Sequence, residues 1–186
     1  MKSFILLLAA LLIFSTSDSI AKKKGASSGP YNMAQADLNI GVGFRGAAFY
    51  GDMTIPLISA SYEVGFTDKI SGGGFLAYAG SEHKHWMGWG TWSYTNIIIG
   101  ARASYHFYSK DKIDVYGGLM IGYNIVSSSY KANDGYNDYF RDSPSESALI
   151  YSIFGGARYY FSDSFGAFAE LGYGISSLTV GVTFKF

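Results

Sequence analysis

The chain has no cysteine, three prolines and only 15% charged residues in a length of 186. Without cysteine it forms no disulfide framework, no thiolate metal site and no lipid-anchored N-terminal cysteine. Lysine plus arginine equal aspartate plus glutamate at 14 each, so no net positive charge is available to hold a nucleic acid. Glycine, tyrosine and phenylalanine are abundant instead, with 24, 16 and 14 residues. Disordered chains are poor in aromatic residues, so the composition indicates one folded domain.

Residues 1–21 have the pattern of a secretory signal peptide. A lysine precedes an eleven-residue apolar run, Phe4 to Phe14, and Ser19-Ile20-Ala21 fits a small-residue cleavage site. Eleven apolar residues are too few to cross a hydrocarbon core about 30 Å thick, which argues against a transmembrane anchor. We expect residues 22–36 to form a polar, disordered periplasmic tail and residues 37–186 to form the folded domain.

From residue 37 onward apolar residues recur at every second position, which is the period of β-strands. In the segment from Ile97 to Phe107, for example, aliphatic and aromatic residues alternate with polar ones. Eight such segments fit the sequence, and only the facing of the glycine-rich segment from Ile70 to Ala79 is left open. Short turns alternate with longer connections, which is typical of outer-membrane barrels. The short turns lie near 67–69, 109–111 and 162–164. The pattern predicts an all-β, eight-stranded, antiparallel, up-and-down transmembrane β-barrel.

Charged residues decide which face of this barrel meets lipid. Seven of them fall on the small, polar face of their strands: Arg45, Glu63, Arg102, Asp114, Arg158, Glu170 and Lys185. A soluble barrel would place apolar residues inside and charges outside. The inverse pattern belongs to a barrel whose solvent is lipid and whose backbone groups are all paired in a closed ladder. We therefore predict a polar lumen, an apolar exterior and an outer-membrane location.

Aromatic residues cluster near both ends of the predicted strands. Phenylalanines lie beside the short turns and at the C-terminus, whereas Tyr78, Trp92 and Tyr94 lie near the other strand ends. Aromatic side chains favour the two membrane–water interfaces. This distribution predicts two aromatic girdles that bracket an aliphatic band.

Two segments resemble a known family. They are GGARYYFSDSFGAFAELGYG, from Gly155 to Gly174, and the terminal VTFKF, from Val182 to Phe186. They are similar to the small eight-stranded outer-membrane β-barrel family of Gram-negative bacteria, the opacity and attachment-protein type, and the resemblance covers residues 37–186. It implies the fold, an envelope location and a C-terminal Phe186 that the outer-membrane assembly machinery reads. The family includes adhesins and envelope-stabilising proteins, so the resemblance does not imply one activity.

The charges of the lumen face predict a structural salt-bridge network. An eight-stranded barrel is just wide enough for its side chains to fill, and buried charges must be paired. Pairing around the turn near 162–164 places Arg158 opposite Phe168 and diagonal to Glu170. Pairing around the turn at 108–112 places His106 opposite Asp114. The expected members are Arg45, Glu63, Arg102, His106, Asp114, Arg158, Glu170 and Lys185. The alternative is an ion or proton path, that is, a narrow-pore channel.

Two motifs could be mistaken for enzyme sites. Residues 41–46 match the dinucleotide-binding pattern G-x-G-x-x-G, but they lie in a predicted strand and open no helix. Ser104, His106 and Asp114 could form a hydrolase triad, but they face a filled lumen that a substrate cannot enter. We therefore predict no enzymatic activity and no cofactor.

His83 and His85 could share a metal ion, but two imidazoles in a loop are too few for a metal site. We therefore predict no metal centre. The competing hypothesis is a lipid-modifying enzyme that uses Ser81, His83 and His85 at the rim of the barrel.

Any surface activity is predicted to reside in two loops, residues 80–92 and 126–147. Tyrosine-rich loops suit recognition because their aromatic area is ordered at little cost in rotamer entropy. The candidate contact residues are His83, His85, Trp86, Trp89, Tyr130, Tyr136 and Tyr139. The expected partners are outer-membrane lipids including lipopolysaccharide, and a host or envelope protein. We expect the protein to be a monomer.

Overall fold

The computed structural model describes residues 29–44, 52–84, 90–132 and 147–186. These residues form eight antiparallel strands that close into one barrel in sequence order. The strands are β1 Ala36–Phe44, β2 Asp52–Gly65, β3 Ile70–Lys84, β4 Gly90–Lys110, β5 Ile113–Ala132, β6 Ser147–Tyr160, β7 Phe165–Tyr173 and β8 Leu178–Lys185. The predicted eight-stranded, antiparallel barrel is therefore confirmed. No helix in these four ranges is long and apolar enough to cross a membrane. The predicted signal peptide lies outside them.

The first and last strands close the barrel. Asp37 of β1 pairs with Lys185 of β8, and Phe44 pairs with Leu178 at the far end of the same ladder. The start of β1 and the end of β8 lie at the end of the barrel where the short turns are. We call this the periplasmic end, because short turns of bacterial barrels face the periplasm. Closure leaves no open edge over the membrane-spanning part, as lipid requires.

Alternating burial along the strands separates the exterior from the lumen. On β5, Leu119 and Ile121 are 64% and 56% exposed, whereas Met120 between them is 5% exposed. The same alternation sets the facing of β3, where Ser71 and Ala77 are buried and Leu76 is exposed. A continuous apolar band around the outside is tolerated only in lipid. The exterior is therefore the membrane-facing surface, and the protein is located in the outer membrane.

Aromatic side chains mark both borders of this band. At the periplasmic end, the ring of Phe165 contacts those of Phe161 and Phe184, with centroids 5.9 Å and 5.4 Å apart. The outer belt consists of exposed tyrosines on four strands, Tyr78, Tyr123, Tyr151 and Tyr173. Trp92 and Tyr94 were predicted to join it, but this prediction is wrong. Both share the face of the buried Asn96 and Ile98 on β4, so they continue the lumen side above the membrane.

Lumen-facing side chains fill the barrel in two layers. The polar lumen predicted from the sequence occupies the periplasmic half. Nearer the outer end, an apolar cluster that we call the apolar layer closes the interior; its members include the large side chains of Leu57, Ile98, Met120, Phe154 and Ile175. Lumen glycines make room for such groups. A Cβ atom on Gly41 would lie 2.8 Å from Cζ of Phe168, too close for a real contact.

The N-terminal segment 29–35 packs into the periplasmic mouth, so the disorder predicted up to residue 36 is wrong for these residues. Tyr31 is 1% exposed, and its ring stacks on His106 with centroids 3.5 Å apart and planes 6° from parallel. Its hydroxyl donates to the carbonyl of Thr67 at 3.0 Å, and its N–H donates to Oγ of Ser109 at 2.9 Å. Burial raises the pKa of the Tyr31 phenol, so the group stays protonated as this donor. Segment 29–35 is therefore a stopper rather than a free tail.

Replacing Tyr31 with alanine is expected to lower the free energy of unfolding by about 3 kcal/mol, the usual cost of deleting a buried aromatic ring. Tyr31→Phe keeps the ring but removes the hydroxyl that donates to Thr67, and it should cost about 1 kcal/mol. Urea titration of the protein refolded in detergent micelles measures both values. Met33→Ala, at a residue of the same segment that is 43% exposed, is the matched control and should stay near wild type. A Tyr31→Ala variant as stable as that control would show that the stopper does not pack.

The strands of the outer end continue into the segments that were predicted to be loops. β3 extends to Lys84, β4 begins at Gly90 and β5 extends to Ala132. The predicted loops 80–92 and 126–147 are therefore too long, because their flanks pair as strands. His83 and Tyr130 lie on these strands, opposite Trp92. Other predicted site residues lie outside the described ranges: Arg45, His85, Trp86, Trp89, Tyr136 and Tyr139.

Candidate functional site

A cluster of ionisable side chains lies in the periplasmic half of the lumen, and we call it the lumen network. Its members are Asp37, Glu63, Arg102, His106, Asp114, Arg158 and Glu170, and each is at most 8% exposed. They come from β1, β2, β4, β5, β6 and β7, and strand alternation turns all of them inward. Six strands are thereby joined across the lumen by side chains as well as by their backbone ladders.

Arg158 is the centre of one half of the network. Its guanidinium lies 3.1 Å from Asp114, 3.3 Å from Glu63 and 3.6 Å from Asp37, and its side chain is 0% exposed. It also lies over the ring of Tyr116, with the guanidinium carbon 4.3 Å from the centroid. One cation therefore compensates carboxylates from three other strands. Such an arginine can hold several carboxylates because its planar group carries five N–H donors.

Arg102 organises the other half. It lies 3.0 Å from Glu63 and 2.7 Å from Glu170, and its guanidinium packs over the ring of Phe154 at 4.1 Å. The hydroxyl of Tyr116 donates to the same Glu170 oxygen at 2.7 Å. Glu63 thus connects the two arginines, and both halves of the network depend on it.

The predicted pairing of Arg158 with Glu170 does not form. The predicted register is correct, since Arg158 lies opposite Phe168. The guanidinium nevertheless extends across the lumen instead of along the wall, because three carboxylates converge there and Arg102 already pairs with Glu170. Local strand pairing alone does not reveal such contacts across the barrel.

His106 contacts Asp114, but not for the predicted reason. A register irregularity between His106 and Tyr108 shifts the ladder, so His106 lies opposite Tyr116 and Asp114 lies opposite Ser109. Nδ1 of His106 still reaches the carboxylate of Asp114 at 2.8 Å. The bulge therefore re-aims the histidine toward the stopper and the carboxylate together.

The hydroxyl next to His106 belongs to Ser71, not to the predicted Ser104. Oγ of Ser71 lies 3.0 Å from Nε2 of His106, and it donates its proton to Glu63 at 2.9 Å. Ser104 instead donates to Glu63 at 2.7 Å. A Ser–His–Asp nucleophile needs a free hydroxyl within reach of substrate. Ser71, His106 and Asp114 are at most 2% exposed, so their arrangement serves to hold Glu63 and to orient the imidazole.

The contacts of Lys185 differ from its predicted role as a member of the lumen network. Its ammonium lies 3.5 Å from the carbonyl of Pro30 and 4.9 Å from the ring centroid of Tyr160, and in the described ranges it forms no ion pair. It therefore holds the stopper in place. Among the described residues, no three histidine, aspartate or glutamate side chains are grouped to bind a metal ion.

Sequence reasoning missed Asp37, Ser71 and Tyr116. Asp37 lies on the same strand face as Asn39, so the alternation that assigned the other charges could have found it. Ser71 lies in the glycine-rich segment whose facing the pattern did not decide. Tyr116 shares the strand face of Asp114 on β5, but nothing in the sequence indicates which carboxylate its hydroxyl meets.

The two layers of the lumen leave little free space. A cavity of about 30 Å³ lies between the lumen network and the apolar layer, with Arg102, Glu170, Met120 and Ile175 in its lining. This is roughly the volume that one water molecule occupies in the liquid, about 30 Å³. The described residues therefore show a sealed interior.

Little or unstable conductance is expected in planar bilayers, because the stopper, the lumen network and the apolar layer lie in series across the lumen. Single-channel recording of the purified protein measures it. A porin run in parallel verifies that the bilayers report open pores. Large, steady steps from the protein would show that the lumen is open and that the packing described above is wrong.

The sequence matches no protein-family model and no curated protein. Among solved structures, the N-terminal β-barrel domain of Pseudomonas aeruginosa OprF matches 83% of this chain and 98% of its own, with a TM-score of 0.55 at 17% identity. The fold is that of a small eight-stranded outer-membrane β-barrel. Neisserial surface protein A matches 82% of this chain at 16% identity, and Ail, the attachment invasion locus protein of Yersinia pestis, matches 82% at 14% identity. They match over 95% and 97% of their own chains, each with a TM-score of 0.49.

Proposed function

We propose that this outer-membrane barrel is a non-enzymatic protein of structural or surface-interaction type, whose contacts are made outside the membrane. The observation that carries the proposal is the sealed lumen. Buried ion pairs, an apolar layer and the stopper occupy the interior, so neither solute passage nor chemistry on a lumen-bound substrate is supported. The activity must then reside on the surface that water reaches.

The outer end provides that surface. β4 and β5 have 21 and 20 residues, whereas about 9–11 tilted residues suffice for a strand to cross a membrane. The upper parts of β3, β4 and β5 therefore rise above the tyrosine belt as a sheet. We propose that this sheet and the connections 85–89 and 133–146 contact the partner, which is a host or neighbouring envelope protein.

Lipid and assembly contacts complete the proposal. Phe186 is 71% exposed at the periplasmic end, and its backbone pairs with Ala36 at 2.9 Å and 3.3 Å. This exposed terminal ring is available to the outer-membrane assembly machinery. The belt tyrosines and the residues above them are positioned to meet lipopolysaccharide head groups. We propose that the protein needs no cofactor, and that the folded chain is a monomer.

The decisive experiment replaces residues 133–146 with a Gly-Ser linker and keeps the paired strand ends Ile125 to Ala132 and Ser147. Adhesion, serum resistance and envelope integrity are then compared with those of the wild type. The shift in gel migration between unheated and heated samples verifies barrel assembly. The same exchange of residues 85–89 tests the second proposed contact segment separately. Loss of a surface phenotype with the barrel intact supports the interaction role. A phenotype that persists in both exchanges means that the barrel acts as an envelope-stabilising element.

The enzyme alternative has its own test. Ser81 is 2% exposed and His83 lies two residues further along the same strand. Mass spectra of lipid A and phospholipids are compared with and without expression. A mass change that disappears in His83→Ala would refute the non-enzymatic proposal.

A further inference from the structure

The lumen side of the barrel continues upward into the sheet above the tyrosine belt. His83, Trp92 and Tyr130 lie side by side in one cross-strand row of β3, β4 and β5. In the next row down, Tyr94 lies between Ser81 and Ser128. Because alternate residues of a strand share a face, all of these side chains belong to the inner face of the sheet.

Aromatic rings form the upper wall of this inner face. The rings of Trp92 and Tyr130 have centroids 5.0 Å apart, and those of Trp92 and Tyr94 are 6.4 Å apart and only 22° from parallel. All three side chains are partly exposed. They present broad π faces at the outer end of the barrel, where a ligand arrives from outside the cell.

Polar atoms without partners lie beneath the rings. Oγ of Ser81 and Oδ1 of Asn124 are buried and form no hydrogen bond, although their residues are only 2% and 4% exposed. The amide nitrogen of Asn124 is already used, since it donates to Oδ1 of Asn96 at 3.0 Å. A buried polar atom without a partner is destabilising, so each such atom in a native protein needs an explanation, and a ligand or a water can provide one.

The bottom of this region is closed. Ile98 and Ala79 are 0% and 1% exposed and belong to the apolar layer. The aromatic rings, the unpartnered polar atoms and the apolar base line one stretch of the lumen wall at the outer mouth, from the row of Trp92 down to the row of Ile98 and Asn124, and we call this stretch the cup. Its described inner-face residues are His83, Ser81, Trp92, Tyr94, Asn96, Asn124, Val126, Ser128 and Tyr130, and none of them is an aspartate, glutamate, lysine or arginine.

We propose that this cup binds an uncharged sugar residue of a glycan that the partner carries; the inference rests on the proposed surface-interaction function and names the chemistry of this contact. The C–H faces of a pyranose ring stack on indole and phenol rings, and Trp92 and Tyr94 provide one of each. Sugar hydroxyls both donate and accept, so they match Oγ of Ser81 in the row of Tyr94 and, two rows further down, Oδ1 of Asn124. A few placed polar groups beneath an apolar wall are typical of small-molecule sites. The absence of charged side chains from the described cup disfavours sulfated or acidic sugars.

The test uses the full mature protein in detergent micelles on an array of immobilised neutral and anionic oligosaccharides. Binding to neutral glycans is expected, with at least a tenfold loss in Trp92→Ala and a smaller loss in Trp92→Phe. Asn124→Leu removes the acceptor beneath the rings and should weaken binding without touching the aromatic wall. Tyr123→Ala, which removes an outward belt ring of the same hairpin, is the matched control and should bind like wild type. The unheated gel shift verifies that each variant is folded.

The possible outcomes separate the two proposals. No binding to any neutral glycan, binding only to anionic glycans that salt abolishes, or unchanged binding in folded Trp92→Ala each overturns the sugar site. If the exchange of residues 133–146 still removes a surface phenotype in that case, the surface-interaction function stands without the sugar. Neutral-glycan binding that depends on Trp92, in cells whose surface phenotypes ignore both loop exchanges, supports the cup and refutes the loop-based function.

Discussion

Arg158→Met is expected to lower the free energy of unfolding by about 3–5 kcal/mol, because it leaves buried carboxylates without their cation. The arginine side chain is 0% exposed and lies within 3.6 Å of Asp37, Glu63 and Asp114. Methionine keeps most of the apolar stem, so the loss reports the charge rather than a cavity. Urea titration in detergent micelles measures the effect. A variant whose unheated sample never migrates as the folded form has lost more stability than this titration can measure.

Two further variants separate the network from a general effect of losing a positive charge. Lys110→Met removes a cation at an exposed position beside the short turn and should change stability little. Arg158→Met combined with Asp114→Asn should be less destabilised than the sum of the two single changes, because residues of one network are coupled. Additive single and double changes would show that these groups do not interact.

Leu119→Arg is expected to cost about 2–4 kcal/mol, the penalty for an arginine that faces lipid near the bilayer midplane. Leu119 is 64% exposed on the outer face of β5, between the phenylalanine belt and Tyr123. In water such an exposed position would accept arginine freely, so the size of the loss tests the lipid-facing assignment. Refolding into phospholipid vesicles followed by urea titration gives the value.

Ser129→Arg is the matched control for this change. Ser129 is exposed on the same face of the same strand, but it lies above the tyrosine belt, where water reaches it. Arginine there should have little effect on stability. Equal losses at Leu119 and Ser129, or no loss at either, would contradict the position of the membrane band.

The sequence predicts the barrel well because its dominant signal, the period of two, is local and redundant. Charges were still needed to decide which face of a strand points inward. The run Ile97, Ile98 and Ile99 shows this, because three isoleucines in a row do not reveal which one faces the lumen. Arg102, further along the same strand, fixes the phase and places Ile98 in the lumen. The same alternation places Asp37 on the lumen face of β1, so this member of the network was predictable.

Contacts across the lumen were not predictable in the same way. Which carboxylate Arg158 meets depends on barrel closure, which brings β1 and β2 within reach of β6. The bulge near Tyr108 leaves no recognisable mark in the sequence, yet it decides what His106 faces. Tyr31 was missed because a polar, lysine-rich stretch precedes it and resembles a free tail. Strand ends such as Ala132 were missed because serines and tyrosines suit loops and strands alike.

Spin-label accessibility along β5 tests the central claim of a lipid-facing exterior around a sealed lumen most directly. The chain has no cysteine, so one cysteine introduced at residue 119, 120, 121, 123, 124 or 125 carries the only label. In lipid vesicles, collision with molecular oxygen should be high at the odd-numbered residues 119, 121, 123 and 125 and low at the even-numbered residues 120 and 124. Collision with a water-soluble nickel complex should be low at all of these positions. An absent or inverted alternation, or nickel access to the even positions, would contradict the account.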